Sequence, residues 1–363
     1  MLEVYDLSLP HRDLVEIQDF LRDADVLTTP TQVFDDNYSI VEWIRAADHS
    51  EIEVSIILDN NIFTRVSALT QDKRTFSSPE DQKSYRLAAA VMAFSIQAGF
   101  SIEPGLALYE KASSGSHENS AAEYRAFQIG DETDPTYWSA FALGRDKALR
   151  VPANAMEQAK QRMPLPEKDL TKDLRHHSQA TLYLMKLLEL KDQLKNPSDI
   201  FIAFILWMEQ EALPDFLIAL FAIHFLSEKT HSRSIKNSSS RDPKLVFRGL
   251  QNAAWDITYV RIWSIRAKHD ASSRYWLFCS NDRHLQMLAR HFLTVSGVSI
   301  DDYVGELFTP NDAQKILSRL YDAERLVHLN TDGSKDRQRA FWDSLSDRIS
   351  HQRIRTEKLI KQR

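Results

Sequence analysis

Two kinds of apolar spacing divide the chain. The run from Val54 to Phe63, VSIILDNNIF, lacks helical spacing and breaks at an acid, which predicts a buried strand with an exposed carboxylate, Asp59, at its tip. Ser78-Pro79-Glu80-Asp81 then supplies a cap, a first-turn proline and early acids, predicting a helix through about Ala98. Leu87, Val91, Phe94 and Ala98 recur three or four apart on it, and Gly99 ends it. A short extended piece, Ile102 to Gly105, leads into a second helix, GLALYEKAS, which carries Glu110. From about Ala121 to Leu226 the pattern is one of successive helices, punctuated by Asp134-Pro135, Val151-Pro152, Pro164 to Pro166, Asn196-Pro197 and Leu213-Pro214.

His231 to Pro243, HSRSIKNSSSRDP, reads as a serine-rich, basic linker. Helical spacing returns from Lys244 to about Lys268, with Val246, Leu250, Ile257, Val260 and Ile265 as core positions. Tyr275 to Cys279, YWLFC, has the length and composition of a strand, and Ser280-Asn281-Asp282 opens another helix through about Leu293. Two more helices follow, one opened at Thr309-Pro310 and one running from about Lys335 into the basic end Arg353, Arg355, Lys358, Lys361 and Arg363. No repeat of fixed period is present. Two apolar runs, each followed by polar residues and a helix, predict an α/β fold with a parallel sheet covered on both faces; its third and fourth strands are not legible. In such sheets ligands sit beyond the carboxyl ends of the strands, where Asp59 and Asp282 fall.

Composition narrows this further. With 363 residues, 43% apolar and 26% charged, the chain can build one large or two ordinary cores. A net charge of −6 leaves any affinity for nucleic acid to local basic clusters. The single cysteine, Cys279, excludes a disulfide framework and a Cys-rich zinc site, and suits a reducing, cytoplasmic setting. The N-terminus lacks the pattern of a signal peptide. Phe201 to Leu226 is the most apolar span, but Glu209, Glu211, Pro214 and Asp215 interrupt it, so it reads as two buried helices and no membrane partner is expected.

Four acids stand in related contexts: Asp59 in LDNN, Glu110 in PGLALYE, Asp256 in WDITYVRIW and Asp282 in Ser280-Asn281-Asp282. In these places the chain resembles the PIN-like nuclease superfamily, a Rossmann-like fold whose members present acids after the first strand, on helices and in a Ser/Thr-x-Asp turn. The resemblance covers about residues 52 to 112 and 245 to 295. It implies a three-layer core with a central parallel sheet. The expected division is 1–50 as an extension on the core, 51–120 as its first part, 121–243 as a helical insertion or subdomain, 244–300 as its second part, and 301–363 as C-terminal helices with a basic end. Glu110 and Asp256 are farther apart in the chain than a minimal family domain requires, and serine stands at 280 where threonine is common.

On this reading Asp59, Glu110, Asp256 and Asp282 bind Mg²⁺ or Mn²⁺ and hydrolyse a phosphodiester by metal-activated water, with Asp59 and Asp282 as direct ligands. Unit charges about 4 Å apart repel by roughly 4 kcal/mol at an effective dielectric near 20, so converging carboxylates call for a cation. Each acid has a simpler role available, Asp59 and Asp282 as helix caps. The expected activity is that of an endoribonuclease, RNA ahead of DNA on family grounds; the alternative is a non-catalytic interaction or nucleic-acid-binding protein acting through its helical insertion.

Asn61, Ser280 and Asn281 would meet substrate, and Arg233, Lys236, Arg241 and Lys244, flanked by Lys229 and Arg248, would hold its phosphate backbone or line a solvated loop. The helical insertion could also carry a protein partner or a homo-oligomer. His176-His177 lacks the ligand spacing of a zinc site, and Trp207, Phe216, Phe221 and Phe225 are expected in the core. No Gly-rich phosphate loop or GxSxG elbow occurs, Cys279 sits within an apolar strand, and Asn61 stands where a haloacid-dehalogenase-type phosphatase needs an aspartate.

Overall fold

The structure, a computed structural model, describes residues 7–30, 36–50, 52–73, 76–115, 117–162, 174–227, 234–293, 299–329 and 334–363. The chain divides into two compact units: Met1–Lys172 with Trp263–Gln286, and Asp173–Ile262 with Met287–Arg363.

The first unit holds the strands β1 (Leu27–Thr28), β2 (Glu53–Leu58), β3 (Ser101–Glu103) and β4 (Arg274–Cys279), in the order β1-β4-β2-β3. β2 runs parallel to both β3 and β4, whereas β1 is antiparallel to β4, so the sheet is mixed. The fold is thus α/β, mostly helical around a small sheet. β1 and β3 are two and three residues long, too short to leave a periodic signal; β1 went unread, and β3 overlaps the short extended piece expected from Ile102 to Gly105. β2 is buried from Val54 to Leu58, and its unbroken apolar run reflects burial on both faces.

Eight helices of this unit are described: α1 (His11–Ala24), α2 (Ile40–Ser50), α3 (Asn60–Thr70), α4 (Pro79–Gln97), α5 (Gly105–Ser114), α6 (His117–Asp131), α7 (Pro135–Ala142) and α8 (Ala153–Gln161). α4 starts as its sequence demands, with the Ser78 hydroxyl accepting from the Asp81 N–H at 3.1 Å. It is buried continuously from Leu87 to Ser95, not on one face alone, because α1, α3 and α7 all pack against it. Gly99, at φ +71°, closes it: its N–H and that of Phe100 reach back to the carbonyls of Ile96 and Ser95, at 3.1 and 2.9 Å. α6 lies on α3 through Phe63 and Phe127, 5.7 Å apart, and through the Ser67 hydroxyl donating to the Glu123 carbonyl. Residues 121–162, expected as part of a helical insertion or subdomain, group with the sheet-bearing unit. Residues 7–30, expected as an extension packing on the core, belong to the same unit and supply β1 to its sheet.

The second unit is helical in all its described elements. It contains α9 (Arg175–Gln193), α10 (Pro197–Glu211), α11 (Phe216–Leu226), α12 (Pro243–His269) up to Ile262, α13 (Arg283–Leu293) from Met287, α14 (Ile300–Leu307), α15 (Pro310–Leu329), α16 (Ser334–Asp343) and α17 (Leu345–Gln362). The stretch expected as one helix from Lys335 is interrupted at Ser344. α11, FLIALFAIHFL, is buried on every side from Leu217 to Leu226. No helix among the described residues is long and apolar enough to cross a membrane. α9 packs on α17, and α10 on α15. Polar ties hold these pairs: Gln352 donates to Glu189, the Ser198 hydroxyl donates to Asp312 at 2.7 Å, and Arg319 pairs with Glu209.

Candidate functional site

The parallel register of β2 and β4 sets Leu58 beside Cys279, so the next residues, Asp59 and Ser280, emerge together at the carboxyl ends of neighbouring strands. The Ser280 hydroxyl donates to Asp59 Oδ2 at 2.5 Å and accepts from the Asp282 N–H at 3.0 Å. Asp59 Oδ1 accepts from the Ile62 N–H at 2.8 Å, which makes Asp59 the N-cap of α3. Asp282 Oδ1 likewise accepts from the N–H groups of His284 and Leu285, at 2.9 and 3.3 Å, capping α13.

Asp59 is not the exposed strand-tip carboxylate its polar neighbours suggest: it is 2% exposed. α3 begins at once after it, and Ile62 and Phe63 in its first turn are buried as well. Burial pushes its pKa up to about 6; Asp282 adds to the rise, while hydrogen bonds from Ser280, the Ile62 N–H and Asn61 oppose it. Burial also lowers the pKa of the His284 imidazole, with Asp282 acting against it. The Cys279 thiol is pushed well above its usual range by burial and by Asp59, so it is no nucleophile.

The site thus brings together Asp59, Ser280 and Asp282, with Asn61 bonded to Asp59 and exposed at the start of α3, and Asn281 half-buried between Ser280 and Asp282. Glu110 is half-buried on α5 of the same unit. Asp256, also half-buried, lies on α12 before Ile262 and so belongs to the helical unit. Among the described residues no three His, Cys, Asp or Glu side chains form a group able to hold a metal ion. What converges is a pair of acids.

A supporting residue escaped sequence reasoning. Gln286 is buried and donates to the Ser280 carbonyl, while the Ser280 N–H donates to the Val26 carbonyl at 3.1 Å. A buried polar residue four positions past a capping acid, facing back along the first helical turn, was the available signal.

Of the basic residues, Lys236, Arg241, Lys244 and Arg248 are exposed in the helical unit, and Arg233 and Lys229 lie outside the described residues. None of these four forms an ion pair among the described residues. Arg353 of α17 stacks on Phe247 with its guanidinium 5.0 Å from the ring centre, and Arg363 donates to the carbonyls of Ser238 and Ser240. The basic C-terminal helix and the basic stretch before α12 therefore share one surface. His177 packs against Trp255, their ring centres 4.4 Å apart and the planes tilted by 32°. Trp207, Phe221 and Phe225 are buried, whereas Phe216 is half-buried. Compared with known proteins, the chain matches no family model, no curated protein and no solved structure.

Proposed function

We propose that the protein is a metal-dependent nuclease, an endoribonuclease, in which Asp59 and Asp282 hold Mg²⁺ or Mn²⁺ at the carboxyl ends of β2 and β4. The observation that carries this reading is a buried carboxylate, its pKa raised to about 6, facing a second carboxylate with only neutral donors favouring its charge. An ionised aspartate offers about four lone-pair positions, and three neutral donors leave Asp59 with acceptor capacity toward a cation. Mg²⁺ is commonly held by one or two carboxylates, the remaining positions going to water and substrate phosphate, so two acids are a sufficient donor set.

Bound there, the ion would supply an activated water and neutralise charge developing on the phosphate. The chain's own residues prepare that site. Ser280 fixes Asp59 Oδ2, Gln286 and Val26 fix the backbone of Ser280, and the first turns of α3 and α13 orient the two acids through their caps. Asn61 and Asn281 offer neutral amides to a phosphate beside the acids. Glu110 and Asp256 stand outside the proposed pair. Lys236, Arg241 and Lys244, exposed on the helical unit, offer a basic surface to a nucleic-acid backbone.

One observation favours a non-catalytic reading, namely that both acids cap helices and could be retained for that alone. Asparagine caps a helix about as well as aspartate, so Asp59→Asn with Asp282→Asn separates the two roles. The double variant should keep its far-ultraviolet circular dichroism and lose Mg²⁺- or Mn²⁺-dependent cleavage of RNA to the background level. Undiminished cleavage by the pure, folded double variant would overturn the nuclease reading.

A further inference from the structure

Within the helical unit a cleft of about 330 Å³ opens where α9, α11, α12, α13 and α16 meet. Its polar floor is built, not incidental. Asp215 is 8% exposed; its Oδ1 accepts from the Ile218 N–H, capping α11, and its Oδ2 accepts from Gln179 at 3.2 Å and from Arg261. A buried ion pair carries a desolvation cost that ordinary apolar packing would avoid. Here it fixes a guanidinium on the wall of a cleft.

Aromatic rings form part of the remaining lining, beside the aliphatic Leu213, Pro214 and Leu217. Phe216 and Phe292 lie 6.3 Å apart at an interplanar angle of 33°, and His176 meets the edge of Trp342 at 6.0 Å. These rings offer flat apolar surface beside the cation. At His176 the field of Arg261 outweighs that of Asp215: after burial, the cation is the larger influence lowering the imidazole pKa. Gln338 at the rim adds an amide donor and acceptor together, the pattern that reads the edge of a base. The volume is at the small end of the range for ligand sites, about 300–1,000 Å³, which suits one compact ligand.

We propose that this cleft binds a single nucleotide, its base against the aromatic side chains and its phosphate on Arg261. The same chemistry is presented by a free nucleoside monophosphate and by the 5′-phosphorylated end of an RNA strand. The site is independent of the metal-dependent reading and stands if that reading fails.

Titration calorimetry on the full chain tests it, using AMP, GMP, CMP and UMP, each beside its nucleoside, together with inorganic phosphate and a 5′-phosphorylated RNA oligonucleotide. At least one monophosphate should bind saturably, at least tenfold more tightly than its nucleoside and than phosphate. Trp342→Leu should weaken that binding roughly tenfold, within the range that loss of base stacking commonly costs. Arg261→Lys, which keeps a cation for Asp215, should reduce the preference for the monophosphate over the nucleoside. If Arg261→Lys unfolds, the Trp342→Leu comparison decides alone. Tighter binding of the oligonucleotide than of the mononucleotide would assign the strand end as the natural source; equal or weaker binding would assign the free nucleotide. Absence of saturable binding by all four monophosphates at millimolar concentration, equal affinity for the nucleoside, or undiminished binding by Trp342→Leu would overturn the proposal.

Discussion

Ser280 holds two neighbours at once, donating its hydroxyl to Asp59 and accepting from the Asp282 N–H, and it is fully buried while doing so. Its removal would leave a buried carboxylate short of one of its three donors in a site where burial already disfavours the charged form. Ser280→Ala is therefore expected to destabilise the protein by about 1–3 kcal/mol, the usual cost of stranding a buried polar group. Ser280→Thr keeps the hydroxyl and should cost less. Urea denaturation of the two variants measures the difference; equal midpoints would remove the hydroxyl from the account of the site. Asp59 and Asp282 were legible in the sequence as acids placed just after apolar runs. The burial of Asp59 was not, because it depends on α3 turning inward immediately, and Asn60 and Asn61 are as compatible with an open loop as with a helix start.

At the scale of elements, β2 is the piece on which the site depends. It pairs with β3 on one side and β4 on the other, and Ile56 at its centre is completely buried. Ile56→Ala should cost about 2–5 kcal/mol, as truncation in a packed core does. Glu53, exposed at the start of the same strand and paired with Arg274, should tolerate alanine at about 0–1 kcal/mol, the range of surface ion pairs. Thermal unfolding of both variants checks the contrast, and equal losses would contradict the central position of β2. β2, β4, α4 and α5 could be read from the chain because each is long enough to carry a period, a cap or a breaker. β1 could not, and β3 only as a short extended piece, since a strand of two or three residues is defined by its partner. Ser344 also divided a stretch whose polarity alone marked no break.

At the scale of the whole molecule, the chain passes between its two units three times, after Lys172, Ile262 and Gln286. Two of these passages fall inside the continuous helices α12 and α13. Helix periodicity gives no sign of such a crossing: Asp256 belongs to the helical unit, although its helix runs on into the sheet-bearing unit from Trp263. The basic surface belongs to this scale as well, because it joins residues more than a hundred positions apart through the Arg353–Phe247 stack. Neutralising Lys244 and Arg248 to glutamine should weaken RNA binding uniformly across sequences. The salt slope should fall by about 0.7 for each phosphate the protein no longer neutralises, the value for single strands. Filter binding between low and moderate salt measures this; an unchanged slope would exclude the surface as a phosphate-binding face.

The sequence by itself determined the α/β character, the two longer strands, most helix starts and the two acids that follow those strands. These are local matters, set by spacing, caps and breakers within a few residues. Tertiary structure alone decided that Asp59 is buried, that Ser280 links it to Asp282, and that Glu110 and Asp256 join no metal-holding group among the described residues. It also placed Asp215, Arg261 and Trp342 around one cleft. Burial and convergence depend on which distant segments pack together, and pairing of that kind leaves no periodic trace in the chain.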